Sequence, residues 1–219
     1  MNFRTITLCV AAFALSISAF AQDGDTQEHG SRLTTVSSNG APGSLQVLQR
    51  RDVQIDLKLT AAQASRIATI QQKEIQAIEA VAGKKNGSSV TRRDFEQRIA
   101  DDNRLAENVL NDDQKKRLQE IKLQLRGNTA ILDPDVQKEL DITDDQKAQI
   151  ENLRNQQTAQ LRTHMQNGDL GHMKMSVILK SLRQQLSASL IKLLTPEQSE
   201  KFKEMNGKPF QIMPTSKQG

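Results

Sequence analysis

The feature that most constrains this chain is that its sequence is written twice. Residues 47–63 lie without a gap over 130–146, 83 positions further on: Val53-Gln54 over Val136-Gln137, Leu57 over Leu140, and Thr60-x-x-Gln63 over Thr143-x-x-Gln146. Beyond these, Leu110-Asn111-Asp112-Asp113-Gln114 lies over Leu194-Thr195-Pro196-Glu197-Gln198, 84 positions on, so a single inserted residue separates the copies. Self-similarity over this length is duplication of a structural unit, and whatever one copy folds into, the other must fold into as well.

The phrase that recurs is an apolar residue, then Thr or Asn, then two residues, then Gln. It occurs at Leu59-Thr60-x-x-Gln63, Leu110-Asn111-x-x-Gln114, Ile142-Thr143-x-x-Gln146 and Leu194-Thr195-x-x-Gln198. A Thr or Asn oxygen at a helix N-cap accepts from the backbone N–H three residues on, and a Gln there reaches back to the N-cap N–H, so two orphan donors are satisfied at once. The apolar residue ahead of each cap can pin the entering chain, Pro196 suits the first helical position, and Asp112, Asp113, Asp144, Asp145 and Glu197 put negative charge where the helix dipole favours it. Each cap should contribute roughly 1 kcal/mol.

Downstream of the caps the apolar residues keep helical spacing: Ile67, Ile70, Ile75 and Ile78 after the first, Ile150, Leu153 and Leu161 after the third, and Val177, Leu182, Leu186, Leu190 and Ile191 in the last long segment. No stretch alternates with period two for long enough to be a strand. Breaks at 83–89 and 167–171 fall at matching places in the two copies, and Gly127 and Gly207 each follow a helix as C-caps would. The expected fold is therefore all-α, two tandem helical-hairpin units at 44–127 and 128–208. Each unit has short capped helices flanking a pair of longer antiparallel ones.

The ends read differently. Arg4, an apolar run at 6–20 and Ala19-Phe20-Ala21 form the three parts of a secretory signal, so residues 1–21 are expected to leave by cleavage near Ala21 and the mature chain to be exported, to the periplasm or beyond. The sole cysteine, Cys9, leaves with them, which removes any disulfide, Cys-based metal site or thiol nucleophile. No second apolar run follows to anchor the mature chain in a membrane. Residues 22–43 are polar and Gly/Ser-rich, a disordered leader, and 209–219 read as a flexible tail.

Charge and composition narrow the function. Thirty basic against 26 acidic residues give a formal +4, with no long run of one sign, and aromatics are 3% with no Trp or Tyr. A nucleic-acid partner, which needs a dense basic stripe and stacking rings, is not expected. Nor is an enzyme: the mature chain has no thiol, and adjacent acids such as Asp101-Asp102 and Asp112-Asp113 point about a hundred degrees apart at solvated or capping positions. His164 and His172 flank the second break beside Met165, Met173 and Met175, a mixture of imidazole and thioether that suits copper. Two histidines without a paired carboxylate fall below the ligand count of a tight site, so no metal or cofactor is expected there.

The four capped phrases together resemble the Leu-Thr-x-x-Gln motif family of periplasmic proteins, the Spy/CpxP-like proteins, in tandem duplicate over most of 47–210. That resemblance implies a helical hairpin that pairs into a homodimer with a curved basic surface. It also implies ATP-independent chaperoning, envelope-stress signalling or metal sensing, with unfolded or envelope proteins as partners. Two units in one chain would be a covalent version of the dimer. Arg50, Arg51, Arg92, Arg93, Lys115, Lys116 and Arg117 are the basic residues expected to face such a client, steering it while apolar patches supply contact area. A metal-responsive envelope sensor and a purely structural repeat protein are the alternatives.

Overall fold

The computed structural model describes residues 42–82, 92–166 and 172–212. The expected signal peptide with its cleavage point, the expected leader as far as residue 41, both expected hairpin turns and the tail beyond 212 lie outside the described residues. Those described are predominantly helical, with no β-strand element among them. The helices are α1 (Ser44–Leu48), α2 (Arg51–Asp56), α3 (Ala61–Ala82), α4 (Arg92–Glu107), α5 (Asp112–Arg126), a 3-10 helix η1 (Gly127–Leu132), α6 (Pro134–Glu139), α7 (Asp144–Gln166), α8 (His172–Ile191) and α9 (Pro196–Asn206). The chain divides between Leu125 and Arg126 into two compact units, and 206–212 belong with the first.

In the first unit α3 packs along α4, and α1 packs on α4. Its core is Leu45, Val47, Leu48, Val53, Leu57, Ile67, Ala106, Leu110, Leu118 and Ile121, with Leu59, Ile70, Val109, Leu125 and Phe210 against it. Two short helices, rather than one, precede the long pair. They are separated by a turn at Gln49-Arg50 and held by Gln54, whose Nε2 donates to the Leu48 carbonyl at 2.8 Å.

The segment from Asn206 is not a loose end. Gln124 Nε2 donates to the carbonyls of Asn206 and, at 2.7 Å, Lys208, while its Oε1 accepts from Phe210 N–H at 2.6 Å. The Phe210 ring joins the core and lies 6.0 Å from the Arg50 guanidinium. An apolar ring three residues past Gly207 outweighs the loop signal of Pro209, because burying it removes more apolar surface from water than any other residue of that segment can.

The second unit runs in the same order: η1, α6, α7, α8, α9. Its buried apolar side chains include Ala130, Ile131, Val136, Leu140, Ile142, Ile150, Leu182, Leu186, Leu190 and Phe202. Gln137 Nε2 donates to the Ile131 carbonyl at 2.9 Å, the counterpart of Gln54 on Leu48. The entry to each long helix is made alike. Lys58 and Asp141 both sit at positive φ, 50° and 52°. The residue after each donates back five positions, Leu59 to Gln54 at 3.0 Å and Ile142 to Gln137 at 2.9 Å, so α2 and α6 end in a Schellman motif without the usual glycine. Gly127 and Gly207 adopt positive φ where α5 and α9 stop.

The copies differ at their first element, an α-helix in one and a 3-10 helix in the other. Short 3-10 segments are common where one α-helix runs into a connector, as η1 does directly after α5. Thr129 Oγ1 bonds the Arg126 carbonyl at 2.7 Å across that junction. Arg126 itself is buried against Asp133, and burial, with Arg183 nearby, pushes its guanidinium down to about 10.

Candidate functional site

The four capped helix starts meet in pairs. In the first unit Thr60 Oγ1 accepts from Gln63 N–H at 3.2 Å, and Gln63 Oε1 accepts from Thr60 N–H at 3.0 Å. Asn111 and Gln114 make the same exchange at 2.9 and 3.0 Å. The two glutamines then bond each other: Gln63 Nε2 donates to Gln114 Oε1 at 2.8 Å, and Gln114 Nε2 to Gln63 Oε1 at 3.2 Å. Their remaining amide hydrogens go to backbone carbonyls, Gln63 to Val109 at 3.0 Å and Gln114 to Leu57 at 3.1 Å.

The second unit repeats this clasp. Thr143 with Gln146, and Thr195 with Gln198, each exchange bonds at 3.2 and 3.0 Å. Gln146 and Gln198 pair at 2.7 and 3.1 Å, and their other hydrogens reach Leu193 O at 2.7 Å and Asp141 O at 3.4 Å. Leu110 and Ile142 are buried beneath the clasps, and Leu59 and Leu194 are half-buried. An ordinary capping box works with Glu or Gln, because only the acceptor is used. Here the NH2 is used as well, so Gln is required. Sequence reasoning found the four caps but missed their pairing, although Gln rather than Glu at all four positions was the available signal.

Six of the seven basic residues marked as client-facing have described side chains, and these differ in exposure and in partners. Arg117 is 18% exposed and committed inward. Its Nε and Nη2 bind Asp56 at 2.7 and 3.0 Å, and its Nη1 binds Glu120 at 2.8 Å and the Lys208 carbonyl at 2.7 Å. The Asp56 carboxylate holds its pKa well above the ordinary value, against the opposing effect of burial. Arg117 is a structural clamp rather than a contact for a partner. Arg50 binds Asp52 at 3.0 and 2.6 Å. Lys115 lies 3.6 Å from Asp112 at the surface, where such a pair contributes little. Arg51, Arg93 and Lys116 face solvent. Arg92 opens α4, and its side chain lies outside the described residues.

His164 is half-buried near the end of α7, and His172 begins α8 with its side chain outside the described residues. Among the described residues no group of three or more His, Cys, Asp or Glu converges as metal ligands would. His164 instead lines an open cleft of about 460 Å³ between α7 and α8, with Gln160, Val177, Ile178, Ser181, Leu182 and Gln185. Sequence reasoning did not find this cleft. No helix among the described residues is long and apolar enough to cross a membrane.

Comparison with protein-family models, with curated proteins and with solved structures finds no match to the chain.

Proposed function

We propose that this chain is an exported, non-enzymatic binding protein of the Spy/CpxP type, holding unfolded or stressed envelope proteins without ATP. The observation that carries the reading is the kind of surface the hairpins leave open. Ile75, Leu105 and Val177 are exposed on the long helices, with Ile70, Ile78, Leu153, Leu161 and Ile178 half-buried beside them, among Gln, Lys, Arg and Glu. Such amphipathic faces suit shallow, reversible contact with apolar segments of many sequences, and charged neighbours raise the encounter rate. The four capped phrases and the amino-terminal export signal support the same reading.

Light scattering tests it. The mature chain, from Gln22, should slow the aggregation of a thermally unfolding client at a few-fold molar excess without nucleotide. Unchanged aggregation at low and moderate salt would rule the reading out.

A further inference from the structure

The segment that follows α9 is held on the first unit by bonds that take little notice of its side chains. Gln124, on α5, presents its amide as a fork: Nε2 donates to the Lys208 carbonyl at 2.7 Å and to the Asn206 carbonyl, and Oε1 accepts from Phe210 N–H at 2.6 Å. Arg117 Nη1 gives the Lys208 carbonyl a second donor at 2.7 Å. A carbonyl and the N–H two residues later are the pair that a neighbouring parallel strand takes from an extended chain, so the Gln124 amide stands in for one peptide group of such a strand. All of these bonds end on main chain. Of residues 207–212 only Phe210 is not exposed, its ring packed on the first core with the Arg50 guanidinium 6.0 Å from it. The seat therefore selects for two things, a backbone pair and one aromatic ring.

The duplicated fold does not ask for this seat. At 84 positions on, Gln124 corresponds to Lys208, past the end of α9, and Arg117 to Lys201, which binds Asp141 at 3.2 Å. Pro209, between the two gripped groups, has no N–H to offer and lies exposed, so that position is left free. Gly207 serves the exit from α9: its φ is 61°, and a Cβ there would run into the Glu120 carboxylate. A segment that arrives without a helix ahead of it enters one residue later and does not need that glycine.

We propose that this seat is a peptide-docking site that the chain closes with its own residues 208–210, and that an extended client segment carrying an aromatic side chain exchanges with them. This rests on the binding-protein reading above and gives it a location, a client chemistry and a built-in competitor. One half-buried ring and a few main-chain bonds make a strap that lets go, while its tether keeps it at high local concentration. Folded proteins bury most of their aromatic surface and do not compete with it; unfolded chains present that surface and do.

Fluorescence anisotropy with the mature, full-length chain tests it, the probe being labelled Lys-Pro-Phe-Gln-Ile with blocked ends. Phe210→Ser, which takes the ring from the strap, should bind the probe about tenfold more tightly than the parent does, because the tethered competitor is weakened. To that variant the probe with Ala for Phe should bind about tenfold more weakly. A probe methylated on the Phe nitrogen keeps the ring but loses the N–H that Gln124 receives, and should bind several-fold more weakly, as should the unmodified probe to Gln124→Ala with Phe210→Ser. In the parent carrying a fluorophore on Ile212→Cys, excess unlabelled probe should free the tail and lower the anisotropy of the label; this arm decides if Phe210→Ser has lost helix by circular dichroism. Equal binding by parent and Phe210→Ser, an N-methylated probe that binds as well as the unmodified one, or a labelled tail that stays held while the probe binds would each overturn the proposal. So would dimers of the parent that Gln124→Ala dissociates, which would make the occupant the tail of a second copy. If the probe fails to bind while aggregation is still suppressed, only the docking proposal falls; if both fail, the binding-protein reading falls with it.

Discussion

Replacing Asp102 by Leu, the residue its duplicate carries, should stabilise the first hairpin. Asp102 lies on α4 and is 8% exposed, and its Oδ2 has no hydrogen-bond partner. The nearest cation, Arg98 Nε, is 3.7 Å from that oxygen and half-exposed, too far for a hydrogen bond and too wet for a strong ion pair. In the second unit the positions of Arg98 and Asp102 are Leu182 and Leu186, each 6% exposed. An unsatisfied buried carboxylate oxygen costs about 1–3 kcal/mol, and a leucine in its place adds apolar burial of similar size. The two methyl groups that replace the carboxylate oxygens are bulkier and must find room in a seam shaped for Asp, at about 1–3 kcal/mol. The net expectation is a gain of about 1–2 kcal/mol at neutral pH. Its pH dependence has a definite sign. Burial raises the Asp102 pKa, with Arg98 opposing and Asp101 adding to the rise, so the folded chain holds this proton more tightly than the unfolded one. The parent therefore loses stability as pH climbs from the unfolded value through the raised folded one, and the advantage of Asp102→Leu shrinks as pH is lowered through that window. Hydrogen exchange over 92–107 reads the effect locally, with Asp102→Asn separating charge from shape. Slower opening in Asp102→Leu at pH 7 and convergence with the parent near pH 4 are expected. A variant that opens faster than the parent at both pH values would refute the reasoning, and would mean that Asp102 is a needed partner rather than an uncompensated charge.

Gln63→Glu should destabilise by about 1–2 kcal/mol despite preserving the capping-box acceptor, because Glu cannot donate to Gln114 Oε1 or the Val109 carbonyl and brings a charge against two acceptors. Gln146→Glu should behave alike, and urea titrations with both variants unchanged from the parent would show that the cross-bonds contribute nothing. Phe210→Ala should cost about 2–3 kcal/mol, less than a fully buried ring, since Phe210 is only partly buried on the first core. Hydrogen exchange should quicken in α1 and α5 while α7 and α8 stay as in the parent; uniform quickening in both units would contradict that assignment.

What could be read from sequence was what is local. A cap is spelled by residues three apart, so Thr60 with Gln63 and its three equivalents are visible without any tertiary knowledge, and the 3.6-residue spacing of Ile67, Ile70 and Ile78 needs only one helix. The Gln63–Gln114 bond joins residues 51 apart, and no local rule reaches that far. Lys115, Lys116 and Arg117 look like one basic run, yet consecutive helical residues turn by a hundred degrees, so Lys116 meets solvent while Arg117 is drawn inward to Asp56. Phe210 was hidden by its neighbours: Gly207 and Pro209 announce a loop, and only the first unit's core supplies the reason for the ring to stay. Lys58 at positive φ is unreadable for the opposite cause, since its left-handed conformation is imposed by the return of Leu59 to Gln54 and not by its own preference.

Duplication makes the divergences more informative than the shared parts. The clasps must be kept in both copies, because each Gln satisfies backbone groups that would otherwise go unpaired, and losing one partner strands the other. The seam is under no such demand, and there the copies part: buried Asp102 stands in one where Leu186 stands in the other. A buried ionised group lowers local stability, whereas an apolar seam firms the hairpin. On these terms the second hairpin is the firmer of the two, and the first is the one whose helices separate at least cost. Exchanging Arg98 and Asp102 for leucine together tests that division more severely than either alone: if the first hairpin then exchanges hydrogen as slowly as the second, the difference in firmness resides in those two side chains and not in the turns or caps.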